Sequence, residues 1–481
     1  MNILAQIVAS KQAEIAALEE MQRPSSVLSD AQKTTPPLFY QRLAEKRAAG
    51  KPFFITEFKR KSPSEGWIQE NIDLPTQLRA YVRAGASAIS VLTDGPFFGG
   101  SLADLQTARQ TLDQAFLPAE RPLLLQKDFI LDPLQVVQAH ACGADLILLI
   151  AAILSPERLD FLRKTAESLG MGVLVEVHDA AELAAIQHLD FPVVGVNNRD
   201  LKTFRTALNR VNTLLPQAGG RFVIAESGVL DARHFQMVKQ ADGFLIGTGL
   251  MQTNTDSLDL SDFFAAKGRY LCKACGIRRV PDLMALRKMG AQAPDFWGIN
   301  FSPRSKRRAD NALLSALQPA DYQHAVAVFY QNTPQEVADV LAKYPFKIIQ
   351  YYADDCTPEW LRSSQKRVLL AVTVGENPFA DTFSKSIAPF AADVDAFILD
   401  GAMPGSGIRI QTTIPPDFPY PFLLAGGMNA GNLEAIKGYT HCIGVDMASG
   451  IETEGVVDEY KMGEVMLRAR VSLPHDFSNC L

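Results

Sequence analysis

The sequence has few of the features that mark secreted, membrane-bound or metal-dependent proteins. Its 481 residues include only six cysteines and seven histidines. Scattered cysteines in so long a chain do not form the disulfide framework of small secreted domains, so we expect a reducing compartment, the cytoplasm. The histidines are dispersed, and no His/Asp/Glu cluster accompanies them. The sequence therefore predicts neither a metal site nor a cofactor.

Long apolar runs and a basic excess are also missing. No run reaches the roughly 18 residues that a membrane span needs. Residues 1–22 include charged side chains such as Lys11 and Glu14 and lack an apolar core, so we expect no signal peptide. The formal net charge of -6 argues against nucleic acid or an anionic membrane as partner. Small molecules remain as the expected partners.

What the chain does have is a regular alternation of apolar β-type runs with helical segments. The runs of the first half lie at 53–58, 88–92, 123–126, 146–150, 172–177, 193–196, 222–225 and 243–246. The pattern resets near 263–269, and further runs lie at 270–274, 296–299, 325–329, 346–350, 368–372, 396–399, 422–425 and 442–445.

Strands that alternate with helices indicate parallel sheets, and eight in a row favour a closed barrel. The alternative, a doubly wound open sheet, usually carries G-x-G-x-x-G after its first strand, which is missing here. The prediction is an α/β chain of two tandem (β/α)8 TIM barrels. We expect the domains to be 1–265, with an N-terminal helical extension, and 269–481.

Polar side chains follow the predicted strands of the first half. Glu57 and Lys59 lie two residues apart, so both point to one face of a strand end. Alone, they could form a solvated surface ion pair. However, Lys127, Glu176 and Glu226 also end strands, and in a barrel such ends meet at one mouth. Lysines and glutamates that converge there suggest general acid–base work on a carbonyl or hydroxyl.

Small residues follow the last two strands of the first half, at Ser227-Gly228 and Gly247-Thr248. Such turns let backbone N–H groups approach a phosphate at this place in a barrel. Glycine turns also arise for purely steric reasons, so the pattern leaves both interpretations open.

Six ordered motifs in about residues 1–262 resemble indole-3-glycerol phosphate synthase. They are Glu57-Phe-Lys59-Arg-Lys-Ser62-Pro-Ser64, Val91-Leu-Thr-Asp94 with Phe98-x-Gly-Ser101, Lys127-Asp-Phe129, Glu176-Val, Gly195-Val-Asn197-Asn-Arg199-Asp-Leu201 and Ala225-Glu226-Ser227-Gly228. The resemblance implies closure of a carboxyphenylamino-deoxyribulose phosphate to an indole, with loss of carbon dioxide and water.

The resemblance also implies roles for single residues. Lys127 matches the general acid on the substrate carbonyl, Glu176 the acid–base group of the later dehydration, and Lys59 with Glu57 the pair at the reacting centre. The implied binding residues are Asn197, Glu226 and Ser227 for the anthranilate part and hydroxyls, Arg199 on the carboxylate side, Ser62, Gly228, Gly247 and Thr248 for phosphate, and Phe98 and Phe129 over the aromatic ring. Either phenylalanine could instead be core. His178 shares the face of Glu176, but we interpret it as an ordinary histidine.

Cys272 and Cys275 begin the second half as a C-x-x-C pair. Such a pair can be a redox couple or half of a zinc site, but no second C-x-x-C or His pair completes a zinc set. Strand alternation predicts that Cys272 and Cys275 point to opposite faces, with Lys273 on the face of Cys275. A nearby ammonium would favour the Cys275 thiolate.

The second half resembles phosphoribosylanthranilate isomerase over about residues 270–470, through motifs such as Cys275-Gly276-Ile277, Asp400-Gly and Gly426-Gly427-Met-Asn429. The resemblance implies an Amadori rearrangement that makes the substrate of the first half. Cys275 matches the base that removes the sugar C2 proton, and Asp400 the acid that opens the ring. The implied binding residues are Arg307 for the anthranilate carboxylate, Asp446 in a ligand-facing motif, and Gly427, Ser449 and Gly450 for phosphate.

One departure from that family stands at the predicted fourth strand, where Gln350-Tyr351-Tyr352-Ala353 replaces the usual Gln-Leu-His-Gly. The main hypothesis is a bifunctional enzyme of tryptophan biosynthesis that needs no cofactor and acts as a monomer on phosphorylated anthranilate–sugar substrates. One alternative is a synthase whose C-terminal barrel has lost isomerase activity and serves a structural or interaction role. Another is an unrelated phosphate-binding barrel enzyme, which the six ordered motifs disfavour.

Overall fold

The computed structural model describes residues 3–21, 36–63, 65–117, 120–200, 205–251, 269–374, 379–401 and 414–470. The chain forms two compact units. The first consists of Met1–Phe204 with Leu214–Phe264, and the second of Arg205–Thr213 with Ala265–Leu481.

The first unit is a closed barrel of eight parallel strands. They are β1 (Phe53–Phe58), β2 (Ala88–Leu92), β3 (Leu123–Lys127), β4 (Leu146–Ile150), β5 (Gly172–Val177), β6 (Val193–Asn197), β7 (Phe222–Glu226) and β8 (Gly243–Ile246). Each strand pairs with the next, and β1 pairs with β8 to close the sheet. A short hairpin, Lys61–Ser62 with Gly66–Trp67, follows β1.

The α-helices that precede or separate these strands are α1 (Ile3–Met21), α2 (Leu38–Ala48), α3 (Leu74–Arg83), α4 (Gly95–Phe98), α5 (Leu102–Ala115), α6 (Pro133–Ala141), α7 (Pro156–Ser168), α8 (Ala180–Ala185), α9 (Asn209–Leu214), α10 (Ala232–Val238) and α11 (Thr248–Met251). Several begin at an Asp or Ser whose side chain accepts a backbone N–H of the first turn, as Asp132 does for α6 and Asp179 for α8.

Strand alternation fills the interior of this barrel and also supplies its mouth. Phe53 and Ile55 lie in a buried cluster with Leu125 and Leu174. The next residues on the same strand faces are Glu57, Lys127 and Glu176. The apolar interior residues thus fix which side chains emerge at the carboxyl end of the barrel.

The second unit contains a second closed barrel. Its strands are β9 (Leu271–Cys275), β10 (Phe296–Asn300), β11 (Ala325–Val328), β12 (Ile348–Tyr352), β13 (Arg367–Val374), β14 (Ala396–Gly401), β15 (Phe422–Leu424) and β16 (Cys442–Met447). They are parallel, and β9 pairs with β16. The α-helices are α12 (Val280–Met289), α13 (Asn311–Ala316), α14 (Pro334–Lys343), α15 (Pro358–Ser363), α16 (Phe379–Thr382) and α17 (Glu459–Arg470). The prediction of two (β/α)8 barrels is confirmed.

Residues 205–213 lie between β6 and β7 in the sequence but belong to the second unit. The backbone N–H of Leu208 donates to Asp395 Oδ1 (2.9 Å), and the side-chain amide of Asn209 donates to the carbonyl of Ala391 (2.8 Å). Leu208 and Asn209 are fully buried. The second unit is therefore assembled from two separate stretches of the chain.

Among the described residues, no helix combines the length and apolarity that a membrane crossing requires.

Candidate active sites

The pair at the end of β1 is buried. Lys59 Nζ lies 2.9 Å from Glu57 Oε1, and the two residues are 8% and 6% exposed. Burial alone would raise the pKa of Glu57, but the charges of Lys59 and then Lys127 outweigh it and lower that pKa below its ordinary value. The alternative of a solvated surface pair is thus excluded.

Lys127 lies between two glutamates. Its ammonium donates to Glu226 Oε2 at 2.6 Å and to Glu176 Oε2 at 3.2 Å. Burial would lower the pKa of Lys127, but Glu226 and then Glu176 outweigh it and raise that pKa well above the usual range. Lys127 is therefore a charged proton donor held at the barrel mouth.

The two glutamates differ in their surroundings. Glu176 also accepts the side-chain amide of Asn197 on Oε1 (3.0 Å). Burial raises the pKa of Glu176, but Lys127 first, and then its other partners, hold it well below the usual range. For Glu226, burial and the charge of Glu176 prevail over Lys127 and raise the pKa to about 7. The site thus holds one ionised carboxylate beside one that keeps its proton into the neutral range.

The floor of this site needs a glycine at position 195. A β-carbon there would lie 1.9 Å from Glu226 Oε1, so only a residue without a side chain leaves room for that carboxyl group. Likewise, a β-carbon on Gly247 would lie 2.4 Å from Glu57 Oε1. This close approach gives Gly247 a steric reason in addition to its predicted phosphate role.

The remaining predicted synthase-type residues surround the same mouth. The rings of Phe98 and Phe129 lie 6.0 Å apart, and the backbone N–H of Arg199 donates to Asn197 Oδ1 at 2.9 Å. Ser227 and Gly228 both adopt positive φ, 62° and 85°. Thr248 Oγ1 donates to Glu65 Oε2 (3.1 Å), and the Glu65 N–H donates to Ser62 Oγ (3.1 Å), so the hairpin loop and the turn after β8 are neighbours.

His178 has a closer relation to the site than the sequence indicated. Its Nε2 lies 3.1 Å from Glu176 Oε1, and its Nδ1 lies 3.1 Å from Glu182 Oε2. The interpretation of His178 as an ordinary histidine missed this contact. Only the shared strand face of residues 176 and 178 could have indicated it.

The second barrel presents Cys275 beside a buried ion pair. Lys273 Nζ lies 3.0 and 3.1 Å from the carboxylate oxygens of Asp446. A β-carbon on Gly298 would lie 2.8 Å from Cys275 Sγ and 3.1 Å from Lys273 Nζ, so both groups lie over this glycine. Cys272 packs in the outer core instead, and both cysteines are free thiols. The predicted opposite faces of the C-x-x-C pair are confirmed.

Lys273 lowers the pKa of the Cys275 thiol, as expected for a nearby ammonium, but other contributions outweigh it. Burial raises the pKa of the Cys275 thiol, Lys273 lowers it, and Asp446 raises it again, so the net pKa lies above the ordinary value. Burial is the largest of these contributions, and the charge of Asp446 adds to it.

The other predicted residues of the second site also lie at its mouth. Arg307 forms two hydrogen bonds of 2.8 Å to Glu452 through Nε and Nη2, and its side chain crosses Gly276, where a β-carbon would lie 2.5 Å from Arg307 Cδ. Asp400 ends β14 and accepts the N–H of Gly401. A β-carbon on Gly450 would lie 1.9 Å from the carbonyl of Met428, so the turns that contain Gly427, Ser449 and Gly450 are adjacent.

Tyr352 occupies the position where the isomerase family carries the histidine of Gln-Leu-His-Gly. Burial raises its pKa well above 10, and the charges of Cys275, Asp400 and Asp446 raise it further. The phenol of Tyr352 therefore shares one site with the predicted base and the predicted acid. In the part of the chain that the structure describes, no group of three His, Cys, Asp or Glu residues could hold a metal ion.

Comparison with known proteins assigns the first unit to a protein family. The family profile described as "Indole-3-glycerol phosphate synthase" matches residues 4–263. This chain belongs to the indole-3-glycerol phosphate synthase family. The synthase of Bordetella pertussis is 40% identical over 268 residues, which cover 55% of this chain and 99% of that protein.

The second unit matches a second family. The profile described as "N-(5'phosphoribosyl)anthranilate (PRA) isomerase" covers residues 272–467. The "Tryptophan biosynthesis protein TrpCF" of Vibrio parahaemolyticus is 32% identical over 476 residues, 96% of this chain and 92% of that protein. The "Multifunctional tryptophan biosynthesis protein" of Schizosaccharomyces pombe is 30% identical over 96% of this chain, which spans 65% of that protein's length. The chain thus joins a synthase barrel to an isomerase barrel, as both resemblances implied.

Proposed function

We propose that the isomerase barrel converts N-(5-phosphoribosyl)anthranilate to 1-(2-carboxyphenylamino)-1-deoxyribulose 5-phosphate, and that the synthase barrel closes and decarboxylates this product to indole-3-glycerol phosphate. The observation that carries the synthase role is the Lys127 ammonium held between Glu176 and Glu226. It provides a charged donor next to an ionised carboxylate and a carboxyl group whose pKa is raised to about 7, an arrangement suited to stepwise acid–base catalysis.

In the synthase, the aromatic carbon forms a new bond to the carbonyl carbon of the substrate, and Lys127 protonates the carbonyl oxygen. Carbon dioxide then leaves, and its bonding electrons restore the ring. Glu176 acts in the dehydration, in which the new hydroxyl departs as water. Lys59 and Glu57 contact the reacting centre, with Phe98 and Phe129 over the aromatic ring.

The binding residues of the synthase divide by the chemistry that they meet. Asn197, Glu226 and Ser227 hold the anthranilate part and hydroxyls, and Arg199 supports the carboxylate side. Phosphate is held by Ser62, Gly228, Gly247 and Thr248. The contact of Glu65 with both Ser62 and Thr248 supports this grouping, because it brings two distant parts of the sequence to one place.

In the isomerase, Asp400 protonates the ring oxygen as the C1–O bond breaks, so the furanose opens to an imine. Cys275 removes the proton from C2 to give an enolamine, and protonation of C1 with loss of the C2 hydroxyl proton then forms the ketose. Arg307 holds the anthranilate carboxylate, Asp446 faces the ligand beside Lys273, and Gly427, Ser449 and Gly450 hold phosphate. Because burial raises the pKa of Cys275, substrate binding must supply the change that frees the thiolate.

The proposed synthase domain is 1–265 and the proposed isomerase domain 269–481; the limits of the family matches support both. Each proposed site draws its residues from one barrel, which supports a monomer. The free thiols among the described cysteines support a reducing, cytoplasmic location. Sedimentation of the purified chain and fractionation of cells test these two points.

The residue roles are tested by assaying both reactions on the same variants. We expect Lys127→Ala to lower synthase turnover by about 10²–10⁴-fold, the usual value of a positioned general acid, while the isomerase rate stays near that of the parent. Cys275→Ala should do the reverse, and Cys272→Ala, in the outer core, should spare both reactions. Synthase turnover within tenfold of the parent in Lys127→Ala, or a fully active Cys275→Ala, would refute the corresponding role.

A further inference from the structure

A buried imidazole lies directly behind the ionised glutamate of the synthase site. His178 follows Glu176 by two residues and lies one residue beyond the end of β5, with its imidazole beside the Glu176 carboxylate. The imidazole is 8% exposed. Its two ring nitrogens lie 3.1 Å from carboxylate oxygens, Nε2 from Glu176 and Nδ1 from Glu182 at the start of α8.

A carboxylate within 3.1 Å of each nitrogen favours a proton at each nitrogen, although only Nδ1 has hydrogen-bond geometry, with Glu182, and Nε2 meets Glu176 at ion-pair distance alone. A neutral imidazole has one N–H and one lone pair, so one carboxylate would face a lone pair. The imidazolium places a positive charge beside both carboxylates. Burial lowers the pKa of His178, but Glu176 and then Glu182 outweigh it and raise the pKa to about 10.

The charges around the two glutamates are unequal. Glu176 faces His178 on one side and Lys127 on the other, and also accepts the amide of Asn197. Glu226 faces Lys127, while its Oε1 is buried without a hydrogen-bond partner among the described residues. Protonation of Glu226 therefore costs less free energy than protonation of Glu176.

We propose that His178 is a positioning residue of the synthase: as an imidazolium anchored by Glu182, it keeps Glu176 ionised and places the proton of the glutamate pair on Glu226. The inference rests on the role proposed above for Glu176 in the dehydration. The charged groups that face the imidazole are Glu176 on β5 and Glu182 on α8, with Lys127 and Glu226 on the far side of Glu176.

The consequence for the reaction is direct. Only an ionised Glu176 can accept a proton. If the imidazole were neutral, proton uptake by Glu176 would become easier, and the chain would lose turnover although every group that contacts the substrate remained in place.

The first experiment is the pH dependence of synthase turnover in His178→Gln, with the isomerase rate of the same sample as the measure of folded chain. An opposite charge at this distance lowers a carboxyl pKa by about one to three pH units, so the acid limb of the turnover profile should move up by about that much. Turnover on the acid side of the profile should fall with little change in KM. ¹³C NMR of glutamate-labelled chain reports the same protonation where turnover is too low to measure.

The second variant, Glu182→Gln, leaves His178 in place. Glutamine still accepts the His178 backbone N–H, which donates to Glu182 Oε2 at 2.8 Å, but it removes one of the two charges that stabilise the imidazolium. The alkaline limb of synthase turnover should therefore move to lower pH. His178→Ala should regain turnover with added imidazole only at pH values at which imidazole is protonated.

His234→Gln is the matched control. His234 is also buried in this barrel and lies 3.1 Å from a carboxylate, that of Asp231, but it does not contact either glutamate. Its synthase profile should match that of the parent.

Unshifted limbs in both His178→Gln and Glu182→Gln would overturn the inference. Equal rescue of His178→Ala by neutral imidazole would also overturn it, because that result indicates packing alone. Glu176→Gln separates the two proposals. If Glu176→Gln is inactive while His178→Gln behaves as the parent, only the role of His178 fails; if Glu176→Gln is fully active, the role of Glu176 itself fails.

Discussion

At the scale of single residues, Tyr352 is where this chain departs from the isomerase family. Its half-buried phenol faces the predicted base and acid, and its pKa is raised well above 10, so it remains a neutral donor at any working pH. A hydrogen bond to a charged group contributes about 1.5–3 kcal/mol. We expect Tyr352→Phe to lower isomerase kcat/KM by about 10- to 100-fold, measured at substrate concentrations well below KM.

Tyr351 provides the control for that variant, because it points to the outer core and its hydroxyl lies 3.4 Å from the carbonyl of Asn332. Tyr351→Phe should leave isomerase kinetics unchanged. An unchanged kcat/KM in Tyr352→Phe would show that the phenol only fills space left by the missing histidine.

The sequence predicted residue types at the barrel mouths well, because strand period and strand ends determine which side chains emerge there. It could not predict their ionisation. The raised pKa of Cys275 depends on burial and on Asp446, which lies 171 positions later in the chain, and the pairing of His178 depends on where α8 begins. Such effects arise from distances between elements, which no local pattern contains.

At the scale of elements, helix α1 places a buried ammonium beneath the synthase mouth. Lys11 Nζ lies 3.2 Å from Asp94 Oδ2 and 3.0 Å from Asp128 Oδ1. Asp94 caps α4, which carries Phe98, and Asp128 directly follows Lys127. Through these two ion pairs, helix α1 supports both Lys127 and the helix α4 that carries Phe98.

We expect Lys11→Met to reduce synthase turnover and to destabilise the synthase barrel by about 3–5 kcal/mol, the usual effect of removing one partner from buried charges. Both reactions and chemical unfolding should be measured. Glu14→Gln is the control, since Glu14 also contacts Lys11 but is exposed, and it should change little. Parent-like synthase turnover in Lys11→Met would show that α1 has no part in supporting the site.

Most strands were predicted within one or two residues of their observed limits, because apolar β-type runs end where the barrel does. Differences of two residues occur at β12 and β13, among others. The prediction placed a strand at 346–350, but β12 begins at Ile348, since Phe346 packs in the outer core and its N–H donates to the carbonyl of Tyr344. Conversely, β13 extends to Val374, two residues beyond its predicted end.

At the scale of the whole molecule, cutting the chain between its two barrels should affect the two pieces unequally, because residues 205–213 belong to the second unit but stay with the first piece. We expect a piece consisting of 1–268 to retain synthase activity, as a barrel with its own core should. The piece 269–481 should retain isomerase activity but melt several degrees lower than in the full chain, since it loses the buried hydrogen bonds of Leu208 and Asn209, worth about 1 kcal/mol each.

Calorimetry of the separate and mixed pieces tests this expectation. Mixing should restore part of the lost melting temperature of the isomerase piece. An isomerase piece as stable as the full chain would show that residues 205–213 contribute nothing to the second unit, and an inactive synthase piece would contradict independent folding of the first.

The same segment sets an order of events during synthesis on the ribosome. Leu208 emerges 187 residues before Asp395, the residue whose carboxylate accepts its N–H. At about 5–20 residues per second, the delay is roughly 10–40 s, far longer than a barrel strand needs to find its neighbours. The first barrel must therefore close while the partners of this loop do not yet exist, and the N–H of Leu208 and the amide of Asn209 wait for their acceptors until the second barrel has formed.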